Sequence, residues 1–327
     1  MTAPATQLDA PANFWSSVAF GTLCGLVASV GYTGANMCLR AVAHCDPVWV
    51  SAVKSVPTVV LMLPFLAWAK LQGRRALPDG RSIVALGAAG LLGQLAGNVF
   101  FQWSLGVVGL ALAVPLCLGG QIISSGVLGR MFLNEPVTWR RAVGIAVLIT
   151  ATAVLSSGAA DAHRTVAHPS AANGAANEAG NWLELVGGVL AATLSGFAYA
   201  LLGVVIRRCV TRETSIPATL FIVCVVGTIS LGAWTPAKIG WQAMVDTRSI
   251  DLYFMLGAGL FNAGAFFALT KSLQLTPVVY VNALNATQAS MAAVAGVLCF
   301  SEAPSAGLAL GVLLTVVGLF FMRGGKS

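Results

Sequence analysis

The feature that most constrains the fold is a repeat that relates the chain to itself after a gapless shift of 167 residues. Matches of Gly or Ala arise easily in an apolar chain, whereas shared Gln, Glu, Arg and Tyr in one register do not. The identical pairs are Tyr32 with Tyr199, Arg40 with Arg207, Gly90 with Gly257, Phe100 with Phe267, Gln121 with Gln288, Gly129 with Gly296, Glu135 with Glu302 and Gly144 with Gly311. The shift predicts two copies of one structural unit.

Long apolar segments fill both copies. Of the 327 residues, 57% are hydrophobic and 9% are charged, whereas soluble domains contain about 25% charged residues. Because about 20 apolar residues in a helix cross the hydrocarbon core, we predict an all-α membrane protein with ten transmembrane helices. The predicted spans cover residues 16–39, 46–69, 82–104, 108–131, 138–157, 183–206, 215–235, 251–273, 277–300 and 304–323.

The number of spans in each copy sets how the copies are oriented. Five spans begin on one side of the membrane and end on the other, so the two five-helix repeats are predicted to be inverted. If the N-terminus is cytoplasmic, thirteen Lys and Arg residues lie in inside segments and four in outside segments. This bias predicts an inner (plasma) membrane protein with both termini in the cytoplasm.

An Ala-, Gly- and Asn-rich segment separates the copies and reads as a flexible linker. The predicted organisation is a cytoplasmic tail 1–15, a first repeat 16–157, an extracytoplasmic linker 158–182, a second repeat 183–323 and a cytoplasmic tail 324–327.

The end of each copy resembles a known family. The stretch LGRMFLNEPVTWRRAVGIAVLITATAVL, and FSEAPSAGLALGVLLTVVGLFF in the second copy, look like the end of an EamA domain of the drug/metabolite transporter superfamily. Gln121 and Gln288 match the Gln that often precedes the Glu of that motif, although its Pro and Gly are replaced. The resemblance implies ten helices in two inverted copies, four helices of each half around a central cavity, and alternating access, usually with metabolite export.

Polar side chains recur at helical spacing inside several spans. Uncharged polar groups in a span are costly unless they face protein or water. We therefore predict that these residues line a midplane cavity between the repeats, with Gln121 facing its twin Gln288. Hydrogen bonds that simply hold the bundle together remain the alternative interpretation. The predicted substrate-binding residues are Tyr32, Asn36, Lys54, Gln94, Asn98, Gln121, Tyr199, Asn282, Asn285 and Gln288.

Lys54 is the ionisable residue that lies deepest in a predicted span. A charged side chain near the centre of a membrane helix costs about 2.5–3.5 kcal/mol on insertion scales, so it faces the interior or reaches towards the surface. One interpretation is that Lys54 reaches the outer surface or a helix-end carbonyl. The other is that it binds an anionic group of a substrate, such as a carboxylate.

The acidic residues all lie in predicted loops or at span ends. This placement argues against a proton-coupled drug pump that depends on a membrane-buried Glu. Glu135 and Glu302 lie at span ends just before Pro136 and Pro304, where we expect each carboxylate to cap the following helix or to stay hydrated. The seven cysteines form no CxxC pair and have no His at ligand spacing, so neither a metal nor another cofactor is predicted.

These observations predict a secondary transporter of small polar metabolites, most of all an exporter of amino acids or related compounds. A lipid-linked flippase and a non-transporting scaffold or sensor are the alternatives. No nucleophile–base pair lies inside the spans, so an enzyme is not expected. The expected partners are a small-molecule substrate, the lipid bilayer and a second copy bound through spans five and ten. The net charge of +7 reflects loop residues rather than a nucleic-acid surface.

Overall fold

The computed structural model describes residues 17–135, 138–166, 178–211, 214–291, 294 and 306–323. Every regular element in these ranges is helical. The elements are α1 (Val18–Ala41), α2 (Pro47–Leu71), α3 (Gly80–Leu92), a π-helix (Gly93–Val99), α4 (Phe100–Val107), α5 (Leu110–Leu133), α6 (Trp139–Val166), α7 (Glu178–Val210), α8 (Ile216–Val245), α9 (Ser249–Leu275), α10 (Val278–Asn285) and α11 (Ala306–Arg323).

Seven helical segments in the described ranges are long and apolar enough to cross a membrane. Residues 142–151 in α6 and 309–318 in α11 form two shorter apolar helical stretches. The chain is therefore a multi-pass membrane protein, and the count of ten spans stays a prediction. The two predicted tails and Glu302 lie outside the described residues.

Local capping explains where several helices begin. The Ser17 hydroxyl accepts a hydrogen bond from the Phe20 N–H at the start of α1. The Asp46 carboxylate accepts from two backbone N–H groups in the first turn of α2, and Pro47 occupies the first position of that helix. A polar cap satisfies N–H groups that have no partner within the helix, and Pro has no N–H to satisfy there.

Three helical segments differ from the predicted spans. Helix α6 continues to Val166, inside the predicted linker 158–182, because its Ala-rich end favours a helix. The third predicted span contains the π-helix between α3 and α4, so it is not one regular α-helix. Helix α8 extends past the predicted end at residue 235 and is broken at Gly240, whose φ of 79° is open to glycine.

Helices of the two repeats pack against each other. Helix α1 packs on α9, and α2 packs on α8 and α9, while α7 packs on α5 and on the α3–α4 segment. One buried core accordingly joins Leu39 and Val50 of the first repeat to Met255 and Ala258 of the second. Helices α6 and α11, the fifth and last helices of the predicted scheme, pack on one another. Each repeat therefore completes the core of the other.

Candidate functional site

A cavity of about 120 Å³ lies between the two repeats. Its walls come from α1, α2, the π-helix, α4, α5, α7, α8, α9, α10 and the residues that follow α10. All ten sequence-predicted residues line it: Tyr32, Asn36, Lys54, Gln94, Asn98, Gln121, Tyr199, Asn282, Asn285 and Gln288. Their role in substrate binding stays a prediction.

One wall of the cavity holds the lysine cluster, which we define as Lys54, Ser55, Gln94, Asn98 and Tyr199. The Lys54 ammonium donates to Asn98 Oδ1 at 2.7 Å, and the Tyr199 hydroxyl donates to the same oxygen at 2.6 Å. Asn98 Nδ2 in turn donates to Gln94 Oε1, which also accepts from the Ser55 hydroxyl at 3.4 Å. Lys54 is 6% exposed and points to partners inside the protein, not to the surface.

The π-helix presents two members of this cluster. Gln94 and Asn98 lie one turn apart within it, and a direct hydrogen bond joins their side chains. Such segments widen a helix locally and are often found at functional sites. Gln102 lies beyond the π-helix, in α4, and donates to the carbonyl oxygen of Leu39. Gln102 therefore serves helix packing at the edge of the site.

The amide cluster, defined as Asn36, Gln121, Asn282, Asn285 and Gln288, also lines the cavity and carries no charge. Asn36 Nδ2 donates to Gln288 Oε1 at 3.2 Å, and Gln288 Nε2 donates to Asn285 Oδ1. Gln121 Nε2 donates to Asn282 Oδ1 at 3.1 Å. The two glutamines were expected to face each other, but each donates to an asparagine because these amides lie within closer reach.

The amide cluster contains a buried donor that lacks a hydrogen bond. Asn282 is 2% exposed, and its Nδ2 has no partner among the described residues. A buried unpaired amide costs about 1–3 kcal/mol, so native proteins rarely retain one without a reason. Since Asn282 lines the cavity, a bound ligand with an acceptor oxygen would supply the missing bond.

Sequence reasoning missed two polar residues of the cavity, Ser55 and Asn262. Asn262 lines it from α9, among the apolar and small residues of GLFNAGAFF. An amide in the middle of an apolar span was the available signal. It was overlooked because Asn262 stands alone, without a neighbour at helical spacing.

Glu135 links the ends of several helices through an ion pair and a hydrogen bond. Its carboxylate pairs with Arg207 and accepts a hydrogen bond from the Val278 N–H at 3.0 Å, at the start of α10. Arg207 also donates to the carbonyl oxygens of Leu273 and Thr276. The expectation that Glu135 caps the helix that follows it was wrong, because the carboxylate turns to α10 of the other repeat, where an arginine neutralises it.

A helical bundle of two related halves around a polar cavity defines an internally repeated membrane protein. The model of the EamA-like transporter family matches residues 19–157 and again residues 186–324. The chain therefore belongs to the EamA-like transporter family, and the two matches confirm the internal repeat.

Solved structures agree with this fold. A crystal structure of another protein superimposes with a TM-score of 0.67 at 17% sequence identity, over 92% of this chain and 96% of that chain. At this identity the likeness supports the fold alone. No curated protein matches the sequence significantly.

Proposed function

We propose that the protein is a secondary transporter that exports small polar metabolites with a carboxylate group, such as amino acids and related compounds, by alternating access. Membership of a transporter family supports transport, and the cavity between the repeats supports a central binding site. The substrate class rests on one observation: Lys54 is the only charged side chain among the described residues that line the cavity.

The lysine cluster is suited to hold an anion. An ammonium has three N–H donors. Among the described residues, Lys54 donates one hydrogen bond, to Asn98 Oδ1. The remaining donors, together with Nδ2 of Asn282, are available to carboxylate oxygens. A hydrogen bond to a charged group contributes about 1.5–3 kcal/mol, so a carboxylate would be favoured over a neutral group of the same shape.

The amide cluster suits the uncharged polar part of a substrate. Amide oxygens accept hydrogen bonds and amide nitrogens donate them, so Asn36, Asn285 and Gln288 can bind either an amino group or a hydroxyl. No carboxylate lines the cavity within the described part of the chain. A solute whose only charge is positive would therefore meet Lys54 without a compensating anion, which disfavours organic cations as substrates.

The distribution of Lys and Arg supports the proposed topology of ten spans, both termini in the cytoplasm and an inner-membrane location. In this arrangement the first and second repeats rock around the cavity to expose it to either side. A homodimer through α6 and α11 also remains part of the proposal.

Flux measurements in proteoliposomes test the function. We expect purified protein to release a trapped, labelled amino acid from a mixed panel faster than protein-free liposomes do. The matched solute is the amine that remains when the carboxylate of that amino acid is removed, and we expect it to stay trapped. Equal flux of the amine would contradict the carboxylate assignment, and scrambling of labelled lipid without solute flux would favour a flippase.

A further inference from the structure

A second cluster of polar residues lies outside the cavity, where the turn after α1 meets the start of α9. His44 and Cys45 come from the turn, and Asp251 comes from the first turn of α9. The ligand atoms of these three side chains lie within 4.8 Å of one another. His44 Nε2 is 3.3 Å from Asp251 Oδ2. One imidazole, one thiol and one carboxylate therefore converge on a single point.

Arg248 now contacts two of these three groups. Its Nε donates to Asp251 Oδ2 at 2.8 Å, and its Nη2 donates to Asp251 Oδ1 at 3.1 Å. The same Nη2 lies 3.0 Å from His44 Nε2. In the Nε2–H tautomer His44 donates to Asp251 Oδ2, 3.3 Å away; in the Nδ1–H tautomer Nε2 instead accepts from the Arg248 guanidinium through its lone pair. That lone pair is the one a metal ion uses.

The Asp251 carboxylate is the part of the cluster that needs a cation. Its side chain is 7% exposed, whereas the Arg248 side chain is 67% exposed. A buried carboxylate without a positive partner is costly. Arg248 can move into solvent at little cost, so it can be exchanged for another cation that keeps Asp251 neutralised.

We propose that His44, Cys45 and Asp251 bind a divalent metal ion of the zinc class in place of Arg248. Zn²⁺ prefers nitrogen, sulfur and carboxylate oxygen in a tetrahedral arrangement with a water as fourth ligand. Tetrahedral ligand atoms lie roughly 3.3–3.6 Å apart, as bond lengths of about 2.0–2.3 Å require. The pair formed by His44 and Asp251 already has this spacing at 3.3 Å, and the thiol, which lies within 4.8 Å of both ligand atoms, has to close on them by roughly 1.2 Å at most.

A metal at this position would join the two repeats. His44 and Cys45 belong to the first repeat and Asp251 to the second, so the ion would hold α1 and α9 together at this end of the bundle. A neighbouring ion pair also joins the two repeats: Lys238 of α8 pairs with Asp46, in the turn before α2, at 2.7 Å. Because the ion would bind only the folded arrangement of these residues, it would stabilise the folded state by mass action. The stabilisation would grow with the free metal concentration.

Zinc titration of the full-length protein in detergent tests this site without any transport assay. Free Zn²⁺ is followed by competition with a chromogenic chelator. We expect one equivalent to bind, with affinity at least tenfold weaker in Cys45→Ala and in Asp251→Asn. Arg248→Gln removes the competing cation, so we expect binding at least threefold tighter than in the unmodified protein.

Cys38→Ser is the matched control, because Cys38 is a partly buried free thiol of α1 outside the cluster, and we expect its zinc affinity to be unchanged. Size-exclusion profiles show that each variant is folded. Zinc binding that survives in the variant lacking all three ligands would overturn the proposal. So would binding that weakens or stays constant in Arg248→Gln, because Arg248 would then support the cluster instead of competing with the metal.

Discussion

The lysine cluster and the amide cluster line the same cavity but solve different physical problems. In the lysine cluster, the charged Lys54 is only 6% exposed, and its ammonium donates a hydrogen bond to the side-chain oxygen of Asn98. The amide cluster contains only neutral groups, and most of their hydrogen bonds are made among themselves. Under the proposed function, the first cluster would bind substrate by charge, and the second by the placement of donors and acceptors.

The repeat shows where this difference comes from. Under the shift of 167 residues, Lys54 corresponds to Phe221, and Asn282 and Asn285 correspond to Pro115 and Leu118. The twins Gln121 and Gln288, like Tyr32 and Tyr199, line the cavity from both repeats. The scaffold is thus shared, while the residues that differ between the repeats give the cavity one charged wall and one neutral wall.

Removal of the charge is expected to have the largest effect. In Lys54→Met, flux at low substrate concentration should fall at least about tenfold, since a charge-assisted bond of about 1.5–3 kcal/mol is lost. The thermal midpoint should stay the same or rise, because a buried charge has been replaced by an apolar chain of similar length. Lys70→Met is the control: Lys70 is exposed on the same helix and should tolerate the change. Normal flux in Lys54→Met would show that Lys54 does not contribute to substrate binding.

Removal of the partner of that charge should mainly affect stability. Asn98→Leu leaves Lys54 and Tyr199 without their shared acceptor, which should destabilise the protein by about 3 kcal/mol, because two buried donors, one of them charged, are left unpaired. Thermal or denaturant unfolding in detergent measures the loss. The double variant Lys54→Met/Asn98→Leu should recover part of it, and strict additivity of the two changes would show that these residues are not coupled.

The amide cluster should respond more weakly. Asn282→Leu removes an unpaired donor together with the acceptor for Gln121. Neutral hydrogen bonds contribute about 1 kcal/mol each, so the substrate concentration at half-maximal flux should rise about three- to tenfold. The maximal rate should change little. An effect as large as that of Lys54→Met would contradict the proposal that the charged cluster contributes more to substrate binding than the neutral one.

The twin tyrosines allow the smallest and most controlled test. Tyr199 donates to Asn98, whereas Tyr32 makes no hydrogen bond through its hydroxyl to the described residues. Tyr199→Phe should cost about 1 kcal/mol of stability, and Tyr32→Phe should cost less than about 0.5 kcal/mol. Equal losses in unfolding experiments would place the hydroxyl of Tyr32 in an equivalent bond.

Much of the site could be predicted because membrane burial penalises polar residues so strongly. Every amide of the predicted stripes, which fall in α1, the π-helix, α5, α10 and the residues after α10, had to face a cavity or a partner, and the repeat indicated that the two halves meet there. The lone Asn262 escaped because a single residue has no periodicity. The π-helix escaped because its i→i+5 bonds leave no clear mark in the sequence around Gly93–Val99.

Partner choice was less predictable than position. Gln121 was expected to face Gln288 and instead donates to Asn282. Glu135 was expected to serve the helix next to it in sequence, but it meets Arg207 and α10. Such long-range contacts follow from how the repeats interlock, which local sequence patterns do not encode.

The contact between Glu135 and the Val278 N–H can form only after most of the second repeat has been synthesised. The two residues are 143 positions apart, which a ribosome working at about 5–20 residues per second covers in roughly 7–29 s. Arg207 follows Glu135 by 72 positions and is made midway through that interval, whereas Leu273 and α10 are made only near its end. The Glu135 carboxylate therefore lacks its full set of partners until most of the second repeat has been synthesised.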